Sequence, residues 1–153
     1  MQKFGQLKGK IMKLFLAVVM MLGVSVGWAA EKSPHSGIGK AVDVGDVKVP
    51  KASGPDARTV AEIITKRTEL KDKTVLVRGK VVKFTPEVLG KNWVHLRDGS
   101  GSAADNTHDV LVTTKDQARI GDVVVAKGVV HTDRDFGSGY SYKVLVEDAT
   151  LQK

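Results

Sequence analysis

The pattern of apolar and polar positions changes character twice along the chain. Leu14 to Gly27 is an uncharged, mostly apolar run with no polar face. Beyond it, Pro34, Gly37, Gly39, Gly45, Pro50, Gly54 and Pro55 punctuate a stretch with few large apolar residues. Such a stretch cannot build a core, and residues 30–57 are predicted to be a flexible spacer. The alternating Val42, Val44, Val47 and Val49 is its only strand-like feature, too brief to assign. From Arg58 a different pattern begins. Thr59 followed by Glu62 has the spacing of a capping box, and Val60, Ile63, Ile64 and Leu70 would give a short helix one apolar side. Then follow five runs rich in β-branched residues, predicted as strands: Thr74 to Phe84, Asn92 to Arg97, Asp109 to Thr113, Asp122 to His131, and Ser141 to Glu147, the last extended by Ala149 to Leu151. Turn residues separate them at Pro86 to Gly90, Asp98 to Gly101, Ile120 to Asp122 and Phe136 to Gly139. Gly79 and Gly128 each divide a valine-rich strand, as glycine does where a strand bulges or bends. The expected fold is all-β: a five-stranded, partly open barrel over residues 58–153, with a short N-terminal helix.

The apolar run changes the picture of the N-terminus. It follows Lys3, Lys8, Lys10 and Lys13 and ends in Trp28-Ala29-Ala30-Glu31. A basic start, a short apolar stretch and small residues at its exit are the parts of a cleavable export signal, assigned to residues 1–29. Fourteen residues fall short of the roughly 20 that a membrane span needs, so no stable insertion is expected after cleavage. Cleavage after Ala29 places Gly27 and Ala29 at the two small-residue positions; cleavage after Ala30 would put Trp28 at one of them. Met12-Lys13 is an alternative start, and an uncleaved N-terminal anchor is the competing arrangement. The expected location is periplasmic or secreted.

Charge then matters less than its total suggests. Four of the 24 lysines and arginines, and none of the 17 acidic residues, precede Glu31, so over half of the net charge of +7 belongs to the signal segment. Any argument for a polyanionic partner rests on where charges sit. The chain has no cysteine, which excludes disulfides, thiolate metal sites, c-type haem attachment and a lipoprotein anchor.

The segments Thr59-Val60-Ala61-Glu62-Ile63, Val75-Leu76-Val77-Arg78-Gly79-Lys80-Val81-Val82-Lys83 and Asn92-Trp93-Val94-His95-Leu96-Arg97-Asp98-Gly99-Ser100-Gly101 resemble the OB-fold nucleic-acid-binding family. Leu96-Arg97-Asp98-Gly99 is similar to the end of the second strand in anticodon-binding OB domains. Over about residues 59 to 151 the chain resembles small exported OB-fold proteins of Gram-negative bacteria. The resemblance implies an OB barrel and leaves the ligand open, because such barrels bind oligonucleotides, oligosaccharides and proteins.

Within the second strand, Val94 and Leu96 share one face, and Trp93, His95 and Arg97 share the other. With the aliphatic pair inward, the latter three stand on the outer face, where OB-folds bind. Trp93 beside Arg97 could then stack a base or sugar ring, worth about 1–3 kcal/mol; Trp93→Ala is expected to weaken binding and spare the fold. The alternative is that Trp93 packs beneath the spacer or helix and closes the barrel end. Two flanking loops add Lys83, Phe84, Lys91 and Asn92 on one side and Arg134, Phe136, Tyr140 and Tyr142 on the other. Interleaved cations and rings suit single-stranded nucleic acid, although Glu87, Asp133 and Asp135 dilute the charge and ordinary solvated loops would look similar. His35, His95, His108 and His131 show no ligand spacing for a metal, and Asp133 to Gly139 lacks the closing glutamate of a calcium loop. No cofactor is implied. With no nucleophile elbow, phosphate loop or cysteine nucleophile, the chain reads as a binding module and not an enzyme. The expected partner is single-stranded nucleic acid or a nucleotide. The rival is a periplasmic protein, bound by a module accessory to redox, cytochrome or envelope assembly, and an envelope saccharide would use the same rings.

Overall fold

A computed structural model describes residues 45–153. The proposed signal segment and most of the predicted spacer lie outside the described residues, as do Val42, Val44 and His35. Where the described chain begins, it is tied down. The Val49 amide donates to the Asp98 carbonyl at 2.9 Å, and Lys51 pairs with Glu62 at 2.7 Å. Ala57–Arg58 forms a short strand, β1, parallel to Leu76 and Val77. The end of the predicted spacer is therefore part of the folded body. The sequence pattern missed this because the attachments are backbone hydrogen bonds and one ion pair, which need no large apolar side chains.

Helix α1 (Val60–Thr65) starts at a reciprocal cap: Thr59 Oγ1 accepts from the Glu62 amide, and Glu62 accepts from the Thr59 amide. The Lys51 hydrogen bond, then the Thr59 amide, hold the Glu62 carboxyl down at about 2. The remaining free amides of the first turn reach a distant loop. Val60 donates to Asp98 Oδ2 at 2.9 Å and Ala61 to Ser100 Oγ at 3.0 Å. A one-turn helix, α2 (Arg67–Leu70), follows. Val60, Ile63 and Leu70 enter the main core.

Five longer strands follow: β2 (Thr74–Val88), β3 (Lys91–Arg97), β4 (Val110–Thr114), β5 (Val123–Asp135) and β6 (Ser141–Gln152). With β1 they make a six-stranded mixed sheet in the order β1-β2-β3-β4-β6-β5, and β2 also pairs with β5. All contacts between neighbouring strands are antiparallel except β1 with β2 and β4 with β6. Among the described residues, no helix is long and apolar enough to cross a membrane. The core is built from the inward positions of every long strand, among them Val75, Val77, Val94, Leu96, Val112, Val124, Val130 and Val146.

Several predicted boundaries move. β2 continues through Pro86 to Val88, so most of the predicted Pro86 to Gly90 break is strand, and β5 runs four residues past its predicted end, to Asp135. β6 is unbroken to Gln152. Proline ended the prediction for β2, yet the β2–β3 ladder shifts register between Thr85 and Val88, an irregularity that accommodates a residue without an amide proton. Gly128 lies at a register shift in β5–β6. A Cβ there would stand 2.7 Å from Val146 Cγ1 and 2.8 Å from the Glu147 carbonyl, so the crossing strand requires glycine. A third shift, between Val81 and Lys83, decides the site. Val81 and Val82 are both buried, so the alternation resets and Lys83 emerges on the outer face opposite His95.

Candidate functional site

The outer face of β3 divides into a closed half and an open half. In the closed half Trp93 is 5% exposed and packs with Leu111 and Leu145 in a small cluster separate from the main core. Its indole N–H donates to the Val88 carbonyl at 2.7 Å. Phe136 meets it edge-on with ring centroids 5.2 Å apart, Tyr142 lies tilted at 5.4 Å, and Tyr140 stands at 6.5 Å. These rings arrive because the end of β5 and the start of β6 form a hairpin, closed by a Phe136–Tyr140 turn with Gly137, Ser138 and Gly139 all at positive φ. Burial pushes the Tyr142 hydroxyl above its ordinary value, with Tyr140 adding to the effect.

The expectation of an open Trp93 platform is corrected here. The alternation placed Trp93 on the outer face as foreseen, but the protein's own hairpin covers that face. Among the described residues, the helix does not supply the cover. Phe84 is also reassigned, since it packs against the main core opposite Val94. Asn92 is buried and spends its amide on structure: Nδ2 donates to the Asp116 carbonyl at 2.9 Å, and Oδ1 accepts from the Glu87 amide at 3.1 Å.

Two of the predicted cations serve internal carboxylates. Glu147 is 2% exposed, and Arg134 Nε donates to it at 2.7 Å. Lys91 approaches Glu147 at 3.4 Å and Asp148 at 2.8 Å. The Asp148 hydrogen bond is the main reason that the Lys91 ammonium is held above its ordinary value. Arg134 also lies over the Phe136 ring at 5.4 Å. The period-2 pattern of β6 gave no sign that Glu147 would be buried.

The open half holds His95 and Arg97. Asp109 sits between them, with Oδ1 2.6 Å from His95 Nδ1 and Oδ2 accepting from Arg97 Nε at 3.0 Å. Burial raises the Asp109 carboxyl, but the hydrogen bonds and charges of His95 and Arg97 together outweigh it, and the net shift is downward. Across the ladder from this pair stand Lys80, opposite Arg97, and Lys83, opposite His95. Arg78 precedes Lys80 on the same side of β2. Among the described residues, Arg78, Lys80 and Lys83 make no ion pair or side-chain hydrogen bond. Arg78 and Lys80 were missed as site residues because charge within a strand reads as an ordinary solvated face. The face as built has a row of uncommitted cations beside an imidazole and a guanidinium fixed by one carboxylate. It can hold a polyanion by charge and orient one polar group through His95.

No family model matches the chain, and no curated protein is similar to it in sequence.

Proposed function

We propose that the protein is an exported binding module with an OB-type barrel, and that the outer face of β2 and β3 takes single-stranded nucleic acid. The observation that carries this reading is the uncommitted pair Lys80 and Lys83 facing Arg97 and His95 across the β2–β3 ladder, with uncommitted Arg78 continuing the row along β2 where it pairs with β5. Phosphates spaced along an extended strand match cations spaced along a β-strand, and the gain comes largely from counterion release. Support for the barrel comes from the pairing order, in which β2 joins β3 on one edge and β5 on the other, so five strands form a ring of neighbours. Support for export comes from the basic, apolar and small-residue pattern ahead of Glu31. With Trp93 covered, electrostatics supplies the affinity and base stacking on this residue does not.

The test is fluorescence anisotropy of a labelled single-stranded oligonucleotide with the protein at several salt concentrations. Binding that weakens steeply with salt, and weakens further in Lys80→Ala/Lys83→Ala, supports the reading. Binding absent at low salt, or indifferent to both changes, sinks it and directs attention to a protein partner.

A further inference from the structure

Beside the open face lies a groove of about 630 Å³, between the end of α1, the loop before β4 and the start of β6. That volume lies in the range of small-molecule sites, roughly 300–1,000 Å³. Its floor is apolar, from Ile64, Val110 and Val144, with the Tyr142 ring at one side. Arg67 and Lys143 stand at its rim. The groove exists because β4 is only five residues long and pairs with β6 at Val112↔Val146 and Thr114↔Ala149, beyond the segment Ser141–Val144 that lines the wall.

The charges in this groove are unequally committed. Both oxygens of Asp109 are taken by His95 and Arg97. Asp105 accepts from Ser102 Oγ at 3.0 Å. The Arg67 side chain, by contrast, makes one hydrogen bond, to the Ile64 carbonyl at 3.2 Å, which leaves most of its guanidinium donors unused. Lys143 has no ion-pair partner among the described residues. In the same wall, His108 Nδ1 is buried without a hydrogen-bond partner, the one such side-chain atom among the described residues. Buried polar atoms are nearly always satisfied, so the wall lacks a partner that a bound molecule can bring.

We propose that this groove is a second ligand site, for a small phosphorylated molecule carrying a flat ring, of which a mononucleotide is the simplest representative. Arg67 and Lys143 take the phosphate, and the ring lies on the apolar floor beside Tyr142. The guanidinium fork suits the phosphate oxygens. The inference does not depend on a strand crossing the outer face, because Arg67 and Lys143 are not among the cations assigned to the strand, although His95 borders both sites.

The test is isothermal titration calorimetry of the protein with adenosine 5′-monophosphate, adenosine and inorganic phosphate. The expected result is one saturable site for the monophosphate, with adenosine and phosphate each at least about tenfold weaker. Arg67→Ala with Lys143→Ala, both exposed positions, should weaken the monophosphate at least about tenfold, and Lys80→Ala/Lys83→Ala should leave it unchanged. No saturable binding overturns the proposal, as does binding untouched by loss of Arg67 and Lys143. Phosphate binding as tightly as the nucleotide also overturns it, since the ring then contributes nothing. Failure of the oligonucleotide experiment with success here would remove the polymer reading and leave this site standing.

Discussion

Trp93 and His95 lie two residues apart on the same face of β3, yet their surroundings are opposite. Trp93 is roofed by Phe136 and Tyr142 and anchored through its N–H to Val88. His95 is held at one nitrogen by Asp109 and borders an open groove. The cover over Trp93 comes from a hairpin that starts about forty residues later in the chain. Two aromatic residues with the same strand register thus differ because one is reached by that hairpin and the other is not. A ring whose faces are filled by protein contributes to stability, and a ring left beside unfilled space can contribute to binding.

The largest effect should come from the closed half. Trp93→Ala removes a buried ring and its cluster, and should cost about 3–5 kcal/mol in urea denaturation. A stable fold with weakened oligonucleotide binding would restore Trp93 as a ligand platform and break the comparison. Phe136→Ala removes one side of the roof, and the lost aromatic pair alone is worth about 0.5–1.5 kcal/mol. In a Trp28→Phe background it should also move the Trp93 emission to the red, whereas an unmoved maximum would mean that Phe136 is not the cover.

In the open half, Asp109→Asn should cost about 1 kcal/mol at neutral pH through weakened hydrogen bonds to His95 and Arg97. Its pH dependence sharpens the point. The folded protein holds this carboxyl below its usual 3.8, so it favours the ionised form more than the unfolded chain does. The contribution is therefore complete above about 3.8 and is lost as pH falls through the lower folded value. Denaturation curves across acid pH should show that portion of the loss in the wild-type chain and not in Asp109→Asn. The smallest effect on stability is expected for Lys80→Ala/Lys83→Ala, within about 0.5 kcal/mol. The same pair should lower the salt slope of oligonucleotide binding by about 1.4, at roughly 0.7 per phosphate contact on single strands. An unchanged slope would mean that these lysines face solvent only.

Legibility in the sequence followed the range of the interactions. The five long strands, the inward placement of Val94 and Leu96, and the Thr59–Glu62 cap depend on period-2 alternation or on residues three apart, and each can be read locally. The ends of β2 and β5 were misplaced because strand pairing carried them through residues that usually break strands. Lys83 and Phe84, at the end of the predicted first strand, were both offered to a ligand beside the loop, yet only Lys83 faces outward; which of the two does so is set by a one-residue register shift that leaves no local mark. Arg78 and Lys80 were passed over, and Lys91, Asn92 and Arg134 were offered to a ligand although internal partners hold them.

By itself, then, the sequence determined a β-rich domain with this strand order along the chain, an inside and an outside for β3, and a cysteine-free body that must be held by its core. The tertiary structure alone decided which outward residues are covered, which charges are spent on one another, and where space is left. Those outcomes depend on which distant segments meet: the hairpin over Trp93, Glu147 beneath Arg134, and β4 too short to fill the space beside β6. Alternation is a property of neighbouring residues, whereas cover and charge pairing are set by partners tens of residues away.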